Sequence, residues 1–317
     1  MKLKDVPLKE NISEIELGLR PFVHRTAIFS SDLLNKLVGC SLFFKSENLQ
    51  KGGSFKIRGA MNALLSIDPK NRKFGVATHS SGNHAQALAI AARQLGMKAW
   101  IVMPSNSPAV KVAAVKGYGG EIIICEPNLL AREEGLKAVV ARTNATFIPP
   151  YNSYDIIGGQ ATLMKEFIED TEGLEACIVP IGGGGLISGA ILAAKYFGNG
   201  LPIYGAEPTG ADDAFRSLLS GKIVPMENPD TIADGLRTSL GSLTFPIIKE
   251  GVKEILTVSD EEIIDAMKLI YQYLKLVIEP SAAVPLAALI KNKDQFQGMK
   301  IGLVLCGGNI DLGNLPF

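Results

Sequence analysis

The sequence predicts an α/β fold in which parallel sheets are covered by helices. Short β-rich apolar runs alternate with helix-length stretches over most of the 317 residues, and this alternation favours parallel sheets. Runs such as CIVPI and IGLVL are apolar at every position but one, which is typical of strands buried on both faces. Helices on both faces of the sheets account for both patterns.

The predicted elements follow these runs in chain order. Seven strands are expected at 74–78, 99–103, 121–125, 177–181, 203–207, 254–258 and 301–305. Helices are expected between them at 83–95, 128–142, 155–169, 186–197 and 261–274. Turn-rich segments at 68–71 and 149–152 bracket three strand–helix repeats. We therefore expect a small domain, residues 71–146, inserted into a large domain built from residues 1–70 and 147–317.

Charge and composition exclude several classes of protein. Lys plus Arg and Asp plus Glu are equal at 32 each, so no basic surface for nucleic acid or an anionic membrane is expected. The N-terminus is charged throughout, and the longest apolar run near the end, 282–290, is far shorter than the ~20 residues of a membrane span. The four cysteines form no CxxC pair. These features favour a cytoplasmic protein with reduced thiols.

The most informative local pattern is a buried strand that leads into four glycines. These are Gly182, Gly183, Gly184 and Gly185, and a helix is predicted to begin near Leu186. Backbone N–H groups at such a turn, with a helix N-terminus behind them, form an anion site. The spacing matches neither GxGxxG nor a P-loop, so a single phosphate fits better than a dinucleotide. A tight turn for helix–strand packing is the alternative interpretation.

A second strand end is followed by small polar residues. Ser80, Ser81, Gly82 and Asn83 precede a helix that starts near His84. Hydroxyl and N–H groups at a helix N-terminus are suited to a carboxylate. Ordinary helix capping by Ser81 or Asn83 explains the same residues.

Two further residues carry reactive side chains. Lys56 stands between Phe55 and Ile57, and a lysine among apolar neighbours serves as an amine nucleophile toward carbonyls. A solvated lysine at a helix start is the alternative. Cys306 follows a buried strand, at the edge where α/β sheets bind ligands, although buried cysteines are more often structural.

Together these clusters resemble the fold type II pyridoxal-phosphate enzymes, and within them the serine racemase and threonine/serine dehydratase family. The matching stretches follow the family order from about residue 20 to residue 312: KSENLQKGGSFKIRGA, SSGNHAQALA, VPIGGGGLISG, AEPTGADDA, TIADGL, VIEPSAA and LCGGNID. The resemblance implies a two-domain fold like that of the tryptophan synthase β chain, pyridoxal 5'-phosphate as cofactor and a homodimer.

The resemblance also implies roles for individual residues. Lys56 corresponds to the lysine that forms a Schiff base with the cofactor aldehyde, and residues 182–186 correspond to the phosphate cradle. Asn83 corresponds to the residue that hydrogen-bonds the cofactor's ring hydroxyl. Cys306 occupies the position facing the pyridine nitrogen, where relatives more often have serine. A neutral thiol there leaves this nitrogen largely unprotonated, which favours prompt loss of a β-leaving group.

Ser81 distinguishes two reactions within the family. In its racemases a serine at this position resembles the second acid/base group, opposite Lys56, whereas several dehydratase branches have alanine. Inversion at Cα requires a proton donor on each face, but elimination requires only Lys56, the cofactor and a β-hydroxyl. The resemblance further places the substrate in contact with Ser80, Ser81, Gly82, Asn83, His84, Asn152, Arg132 and Thr238.

A metal and a nucleotide are implied by the same resemblance. Glu207, the carbonyl of Ala211 and Asp213 match the divalent-metal site of the racemase branch, and oxygen ligands suit Mg²⁺, Ca²⁺ or Mn²⁺. Asp32 and Gly52 depart from the hydroxyl residues of that branch's ATP site. An acid near phosphates is unfavourable, which leaves ATP as an allosteric effector open. Four residues match the ATP site: Lys51, Gln86, Tyr118 and Asn309.

We therefore expect a cytoplasmic, homodimeric enzyme that acts on small β-hydroxy amino acids. It would racemise L-serine, or eliminate water from L-serine or L-threonine to give pyruvate or 2-oxobutanoate plus ammonia. A dehydratase for L-threo-3-hydroxyaspartate is the alternative within the family. A nucleotide-dependent oxidoreductase and a non-catalytic cofactor-binding protein explain fewer of the motifs.

Overall fold

The structure is a computed structural model that describes residues 2–107 and 109–317. These residues form the strands β1 (Ile28–Phe29), β2 (Ser41–Ser46), β3 (Val76–His79), β4 (Ala99–Pro104), β5 (Glu121–Cys125), β6 (Thr146–Phe147), β7 (Ala176–Pro180), β8 (Ile203–Pro208), β9 (Val252–Val258) and β10 (Lys300–Leu305). The same residues form the helices α1 (Lys9–Leu19), α2 (Asp32–Val38), α3 (Lys56–Leu65), α4 (Pro69–Arg72), α5 (Asn83–Gln94), α6 (Ala109–Gly117), α7 (Leu129–Thr143), α8 (Tyr154–Asp170), α9 (Gly185–Phe197), α10 (Asp213–Ser220), α11 (Thr244–Gly251), α12 (Asp260–Leu274) and α13 (Pro280–Lys291).

The strands form two sheets, which confirms the α/β class. The larger sheet has the order β1-β2-β10-β7-β8-β9, and the smaller has the order β5-β4-β3-β6. Every pair of neighbouring strands is parallel except β1 and β2, which are antiparallel. The expectation of parallel sheets is thus confirmed apart from a two-residue strand at one edge.

All seven predicted strands are present, with ends that differ by at most two residues, but β1, β2 and β6 were not predicted. The strand β2 carries Lys45 in a buried position, where its Nζ donates to Glu166 Oε2 at 2.9 Å and to the Thr26 carbonyl at 2.9 Å. A lysine interrupts the apolar run by which a buried strand is recognised. Because its partners are distant in sequence, no local pattern indicates that this lysine is buried.

The four strands of the smaller sheet all lie between residues 76 and 147. The small domain expected at 71–146 therefore encloses this sheet except for the last residue of β6, while the division into two domains stays a prediction. A large apolar core, with Phe44, Phe167 and Leu303, surrounds the six-stranded sheet. A second core, with Leu88 and Ile101, lies beside the smaller sheet. Within the described part of the chain, no helix has the length and apolar character needed to cross a membrane.

The fold brings the predicted motifs to the carboxyl ends of strands. The loop 80–82 follows β3, the glycines follow β7, Glu207 lies near the end of β8, and Cys306 follows β10. Crevices outside the carboxyl ends of parallel strands are where α/β proteins bind ligands. The position of these motifs therefore defines the candidate site.

Candidate active site

Lys56 is the first residue of α3, and the end of β10 fixes its position. Ser54 forms an antiparallel bridge with Gly307, and the Phe55 N–H donates to the Cys306 carbonyl at 3.1 Å. The Lys56 Nζ donates to the Pro150 carbonyl at 3.1 Å. Burial lowers the pKa of this amine to about 8, because the charged form loses hydration. A substantial neutral fraction near neutral pH makes Lys56 a suitable nucleophile and base.

Cys306 is the residue whose carbonyl accepts from the Phe55 N–H, and its side chain is buried. Burial, with a smaller effect from the nearby Glu279, raises the pKa of its thiol well above the ordinary value. The side chain is therefore a neutral thiol, as the sequence-based interpretation requires. Its backbone carbonyl, through the bond to Phe55, also fixes the turn that presents Lys56.

The glycine loop is closely packed, yet its N–H groups are free. Among the described residues, none accepts a hydrogen bond from the backbone N–H of Gly182, Gly183, Gly184 or Gly185. A Cβ added to Gly183 would lie 2.3 Å from the Tyr151 ring. Four free donors beside the N-terminus of α9 suit a phosphate. Tight packing and anion binding, the two interpretations offered by the sequence, are therefore compatible.

Two other residues shape this loop. Gly184 has a φ of +88°, and its added Cβ would lie 2.7 Å from Thr244 Oγ1, so glycine is needed there for both conformation and space. Thr244 Oγ1 also donates to the Gly183 carbonyl at 2.9 Å. On the opposite side, Thr238 Oγ1 lies 3.4 Å from the position of a Gly182 Cβ. Thr238 therefore lies beside the glycine loop, and its contact with the substrate stays a prediction.

Asn83 is held by two partners that lie far away in sequence. Its Nδ2 donates to both carboxylate oxygens of Glu279, at 2.8 and 3.0 Å, and its Oδ1 accepts from Asn309 Nδ2 at 2.9 Å. Burial raises the pKa of Glu279 to about 7. Since an amide has one acceptor oxygen and two N–H donors, these contacts fix which end of the Asn83 side chain faces each neighbour.

The loop before α5 presents free donors as well. Among the described residues, the backbone N–H groups of Ser81, Asn83 and His84 make no hydrogen bond, while the Gly82 N–H donates to Ser80 Oγ at 3.3 Å. The N-cap of α5 is Gly82, and within the described part of the chain no side chain caps the helix. The half-buried hydroxyl of Ser81 has no partner among the described residues. Free N–H groups at this helix N-terminus suit a carboxylate.

His84 does not contribute a charge to this loop. It is buried, its Nε2 lies 3.1 Å from the Ile148 carbonyl, and burial lowers its pKa to about 3. A neutral ring that donates to a backbone carbonyl has a structural role. Only the backbone N–H of His84 is therefore available for a substrate.

The two remaining residues expected to contact the substrate, Asn152 and Arg132, lie in different parts of the structure. Asn152 lies beside the segment 241–243, where its Oδ1 accepts from the Leu243 N–H at 2.8 Å and its Nδ2 donates to Ser242 Oγ at 3.1 Å. Arg132 lies near the start of α7, where its Nε donates weakly to the Asn128 carbonyl at 3.4 Å. The pKa of His79 is lowered mainly by burial and to a smaller extent by the charge of Arg132. No described contact joins Arg132 to Lys56 or to the glycine loop.

Two buried carboxylates lie beside the site. Glu207 accepts from the N–H groups of Ala214 and Phe215, and Asp213 Oδ2 accepts from the Leu240 N–H at 3.0 Å. Asp213 Oδ1 is buried and has no hydrogen-bond partner among the described residues. Burial, with Asp213 nearby, raises the pKa of Glu207 well above its usual value, and burial raises that of Asp213 to about 6.

Two neighbouring buried carboxyl groups either remain protonated or bind a cation that balances their charge. The expected ligand set therefore fits a divalent ion, the third member being the carbonyl of Ala211 in the turn between the acids. Among the described residues, no group of three or more His, Cys, Asp or Glu side chains is placed to hold a metal. This absence is compatible with a set of two carboxylates and one backbone carbonyl.

The residues matching the nucleotide site come from four parts of the chain: Lys51 from the turn before α3, Gln86 from α5, Tyr118 from the end of α6, and Asn309 from the segment after β10. Asn309 Nδ2 donates to the Gly52 carbonyl at 2.7 Å, and Gln86 is buried. Gly52 has a φ of +72°, and its added Cβ would lie 2.6 Å from Ile90 Cδ1. A hydroxyl-bearing side chain at this position would therefore require the backbone and Ile90 to move. ATP as an effector stays an open prediction.

Sequence reasoning missed two residues of the site, Glu279 and Tyr151. Glu279 lies in the matching stretch VIEPSAA, but no sequence pattern indicated a role for it. Its partner Asn83 is distant in sequence and follows a strand of the smaller sheet. Tyr151 follows the proline that accepts from Lys56, and its ring covers the glycine loop. The proline-marked turn at 149–152 was the available signal, although it was interpreted only as a domain boundary.

The fold and the site define a class of protein: an α/β protein with a half-buried lysine of lowered pKa and a glycine loop whose N–H groups are free among the described residues. Residues 19–307 match the family of pyridoxal-phosphate dependent enzymes, and the chain belongs to this family.

Individual proteins to which the chain is similar indicate the type of reaction within this family. The chain is 46% identical to the β-hydroxyaspartate dehydratase of Paracoccus denitrificans, over 98% of this chain and 99% of that protein. It is 47% identical to the serine racemase of Arabidopsis thaliana, over 96% and 94%. The solved structure of maize serine racemase superimposes with a TM-score of 0.95 at 45% identity, covering 98% of this chain and 95% of that one. The chain is thus an enzyme of the racemase and ammonia-lyase type, as predicted.

Proposed function

We propose that this enzyme racemises L-serine and eliminates water from L-serine and L-threonine. The observation that carries the proposal is the arrangement around Lys56. The half-buried Lys56, whose amine has a lowered pKa, lies beside a neutral thiol, and Asn83, held by Glu279, approaches the same strand end. The serine racemases among the relatives, at up to 47% identity over nearly the whole chain, support the choice of substrate.

The residues present fit pyridoxal phosphate. The free N–H groups of the glycine loop would hold its phosphate, Asn83 its ring hydroxyl, Cys306 its ring nitrogen and Lys56 its aldehyde carbon. When bound, the cofactor supplies an electron sink that acidifies the Cα proton of an amino acid. Because Cys306 stays neutral, it does not protonate the ring nitrogen.

The chain's own groups then move the protons. Lys56, when neutral, takes the proton from Cα, and the N–H groups of the loop 80–84 hold the substrate carboxylate. Elimination breaks the bond from Cβ to the hydroxyl, which leaves as water after gaining a proton. Racemisation instead returns a proton to Cα from the opposite face, and we assign that step to the unpartnered hydroxyl of Ser81.

The test is a chiral assay that follows oxo acid and D-amino acid together. Ser81→Ala is expected to lower D-serine formation from L-serine by roughly 100-fold or more, the typical contribution of a general acid or base, while pyruvate formation continues. Lys56→Ala is expected to abolish both reactions, and borohydride reduction should then no longer attach the cofactor to the protein. Unchanged racemisation by Ser81→Ala would contradict the assignment.

A second candidate substrate, L-threo-3-hydroxyaspartate, is favoured by the 46% identity to the Paracoccus denitrificans enzyme. Its dehydration uses the same Lys56 chemistry and gives an oxo dicarboxylic acid plus ammonia. The chiral assay therefore includes it beside L-serine and L-threonine. A kcat/KM for hydroxyaspartate that far exceeds the value for L-serine would make dehydration of the dicarboxylate the main activity.

We also propose Mg²⁺ at Glu207, the Ala211 carbonyl and Asp213, with Ca²⁺ and Mn²⁺ as substitutes. The unpartnered Asp213 Oδ1 supports this site. The bond from the Leu240 N–H to Asp213 ties it to the segment that follows Thr238. Binding there would hold this wall of the pocket in place.

The proposed assembly is a homodimer in the cytoplasm, as the family resemblance and the scattered cysteines suggest. The structure contains four free cysteines, three of them buried, which fits a reducing compartment. Light scattering of the purified holoenzyme distinguishes a dimer from a monomer.

A further inference from the structure

An ion pair joins two separate elements at the rim of the candidate site. Lys111 lies on α6, beside the smaller sheet, and its Nζ donates to a carboxylate oxygen of Asp234. Asp234 begins a short turn, Asp234–Leu236, whose next carbonyl, that of Gly235, lies 3.0 Å from the position of a Gly182 Cβ. The pair therefore connects the smaller-sheet side of the crevice to the wall of the phosphate cradle.

This pair is built to exchange partners. The Lys111 side chain is 17% exposed and that of Asp234 is 42% exposed. Among the described residues, the Lys111 Nζ makes no other hydrogen bond. Ion pairs at partly exposed positions are held weakly. A second carboxylate that reaches the rim could replace Asp234 at little cost.

Both charges act on groups inside the site. Burial is the main cause of the raised pKa of Glu279; the charge of Asp234 raises this pKa further, and the charge of Lys111 lowers it. Asp234 also contributes to the raised pKa of Cys306, again less than burial does. Glu279 is the residue that holds Asn83. Lys111 and Asp234 are thus near Glu279, and through its bond to Asn83 they are near the loop before α5.

We propose that Lys111 is a specificity-determining residue that binds the distal carboxylate of β-hydroxy dicarboxylic amino acids. Asp234 is the internal carboxylate that occupies Lys111 until such a substrate displaces it. Serine carries no second carboxylate and leaves the pair intact. This inference rests on the proposed function and adds the substrate class that the same site discriminates.

The test compares kcat/KM for L-threo-3-hydroxyaspartate with kcat/KM for L-serine, in holoenzyme with unchanged cofactor absorbance. Lys111→Met is expected to lower the ratio of the two values at least tenfold, mainly through a higher KM for the dicarboxylate. Lys111→Arg retains the charge and should keep the ratio within threefold. Asp234→Asn removes the competing carboxylate and should raise the ratio severalfold. Lys116→Met, an exposed lysine on the same helix, is the matched control and should leave the ratio unchanged.

The outcomes separate the two claims. Wild-type enzyme that converts L-serine but not hydroxyaspartate, or a Lys111→Met ratio within twofold of wild type, overturns the role of Lys111 and leaves the proposed function standing. Holoenzyme that converts neither substrate overturns the proposed function itself. A lower ratio in Lys111→Met with a higher ratio in Asp234→Asn supports the exchange of partners.

Discussion

At the scale of single residues, Glu279 is the side chain on which the site's geometry depends most. It accepts both hydrogen bonds from Asn83 Nδ2, and Asn309 occupies the other end of the same amide. A buried carboxyl whose pKa is raised to about 7 is ionised in only part of the molecules near neutral pH. The strength of this acceptor therefore changes across the physiological range.

The raised pKa also predicts a pH-dependent stability. The folded protein retains the Glu279 proton up to about pH 7, whereas the unfolded chain loses it near pH 4.5. Over this window the folded state binds more protons, so Glu279 destabilises the fold progressively as pH rises, by about 3 kcal/mol in total. Glu279→Gln lacks this titration and retains an acceptor for Asn83.

Urea unfolding of cofactor-free protein between pH 4.5 and pH 8 measures the effect. The free energy of unfolding of wild type, minus that of Glu279→Gln, is expected to fall by about 3 kcal/mol as pH increases. Parallel curves for the two proteins would show that the pKa of Glu279 is the same in the folded and unfolded states.

Residues differ in how far the sequence alone could assign them. Lys56 and Ser81 lie in short contiguous motifs, so the sequence alone could place Lys56 near a helix start and Ser81 after a strand. Glu279 and Tyr151 act through partners that only the fold brings near. For His84 the structure limits the expected substrate contact to the backbone N–H, because the ring is buried and neutral. The depth of the ring depends on packing that no local sequence pattern reports.

At the scale of elements, the loop between β7 and α9 combines close packing with free donors. Glycine is required at Gly183 because the Tyr151 ring occupies the space of a side chain. Gly183→Ala is expected to weaken cofactor binding roughly 5- to 150-fold, since overpacking costs about 1–3 kcal/mol.

Titration of the apoprotein with pyridoxal phosphate, followed by visible absorbance, measures this loss. Tyr151→Ala combined with Gly183→Ala should restore part of the affinity, because the ring that meets the new methyl group is gone. Gly18→Ala, at a helical site with no atom within 4 Å of the new Cβ, is the control. Wild-type affinity in Gly183→Ala would refute the packing argument.

Elements were predictable where burial follows hydrophobicity. The helices of the pattern are present to within one residue at each end, because their amphipathic spacing is a local property. The strand β2 was missed because buried Lys45 breaks its apolar run, and its burial is stabilised by partners distant in sequence, Glu166 and the Thr26 carbonyl. The two-residue strands β1 and β6 are too short to leave any pattern.

At the scale of the whole molecule, a divalent ion at Glu207 and Asp213 would stabilise the fold. A ligand present at 100 times its Kd adds about 2.7 kcal/mol to the free energy of unfolding. Thermal unfolding with and without Mg²⁺ should therefore show a higher Tm with the ion, and chelation should remove the gain.

Asp213→Asn is expected to lose the Mg²⁺-dependent rise in Tm. Asp212→Asn should keep it, since Asp212 is partly exposed and pairs with Arg216 at 2.7 Å. A Tm that does not respond to Mg²⁺, Ca²⁺ or Mn²⁺ in the wild type would count against the site.

The order of strands in the larger sheet has a consequence for how the chain is made. The strand β10 lies between β2 and β7, and Lys300 pairs with Ser41. A ribosome therefore releases every strand of the smaller sheet before the larger sheet can be closed. At roughly 5–20 residues per second, these two events lie on the order of ten seconds apart. During that interval β2 and β7 have no central partner and Lys56 has no Cys306 beside it, so the nascent chain is exposed to aggregation and is unable to catalyse its reaction.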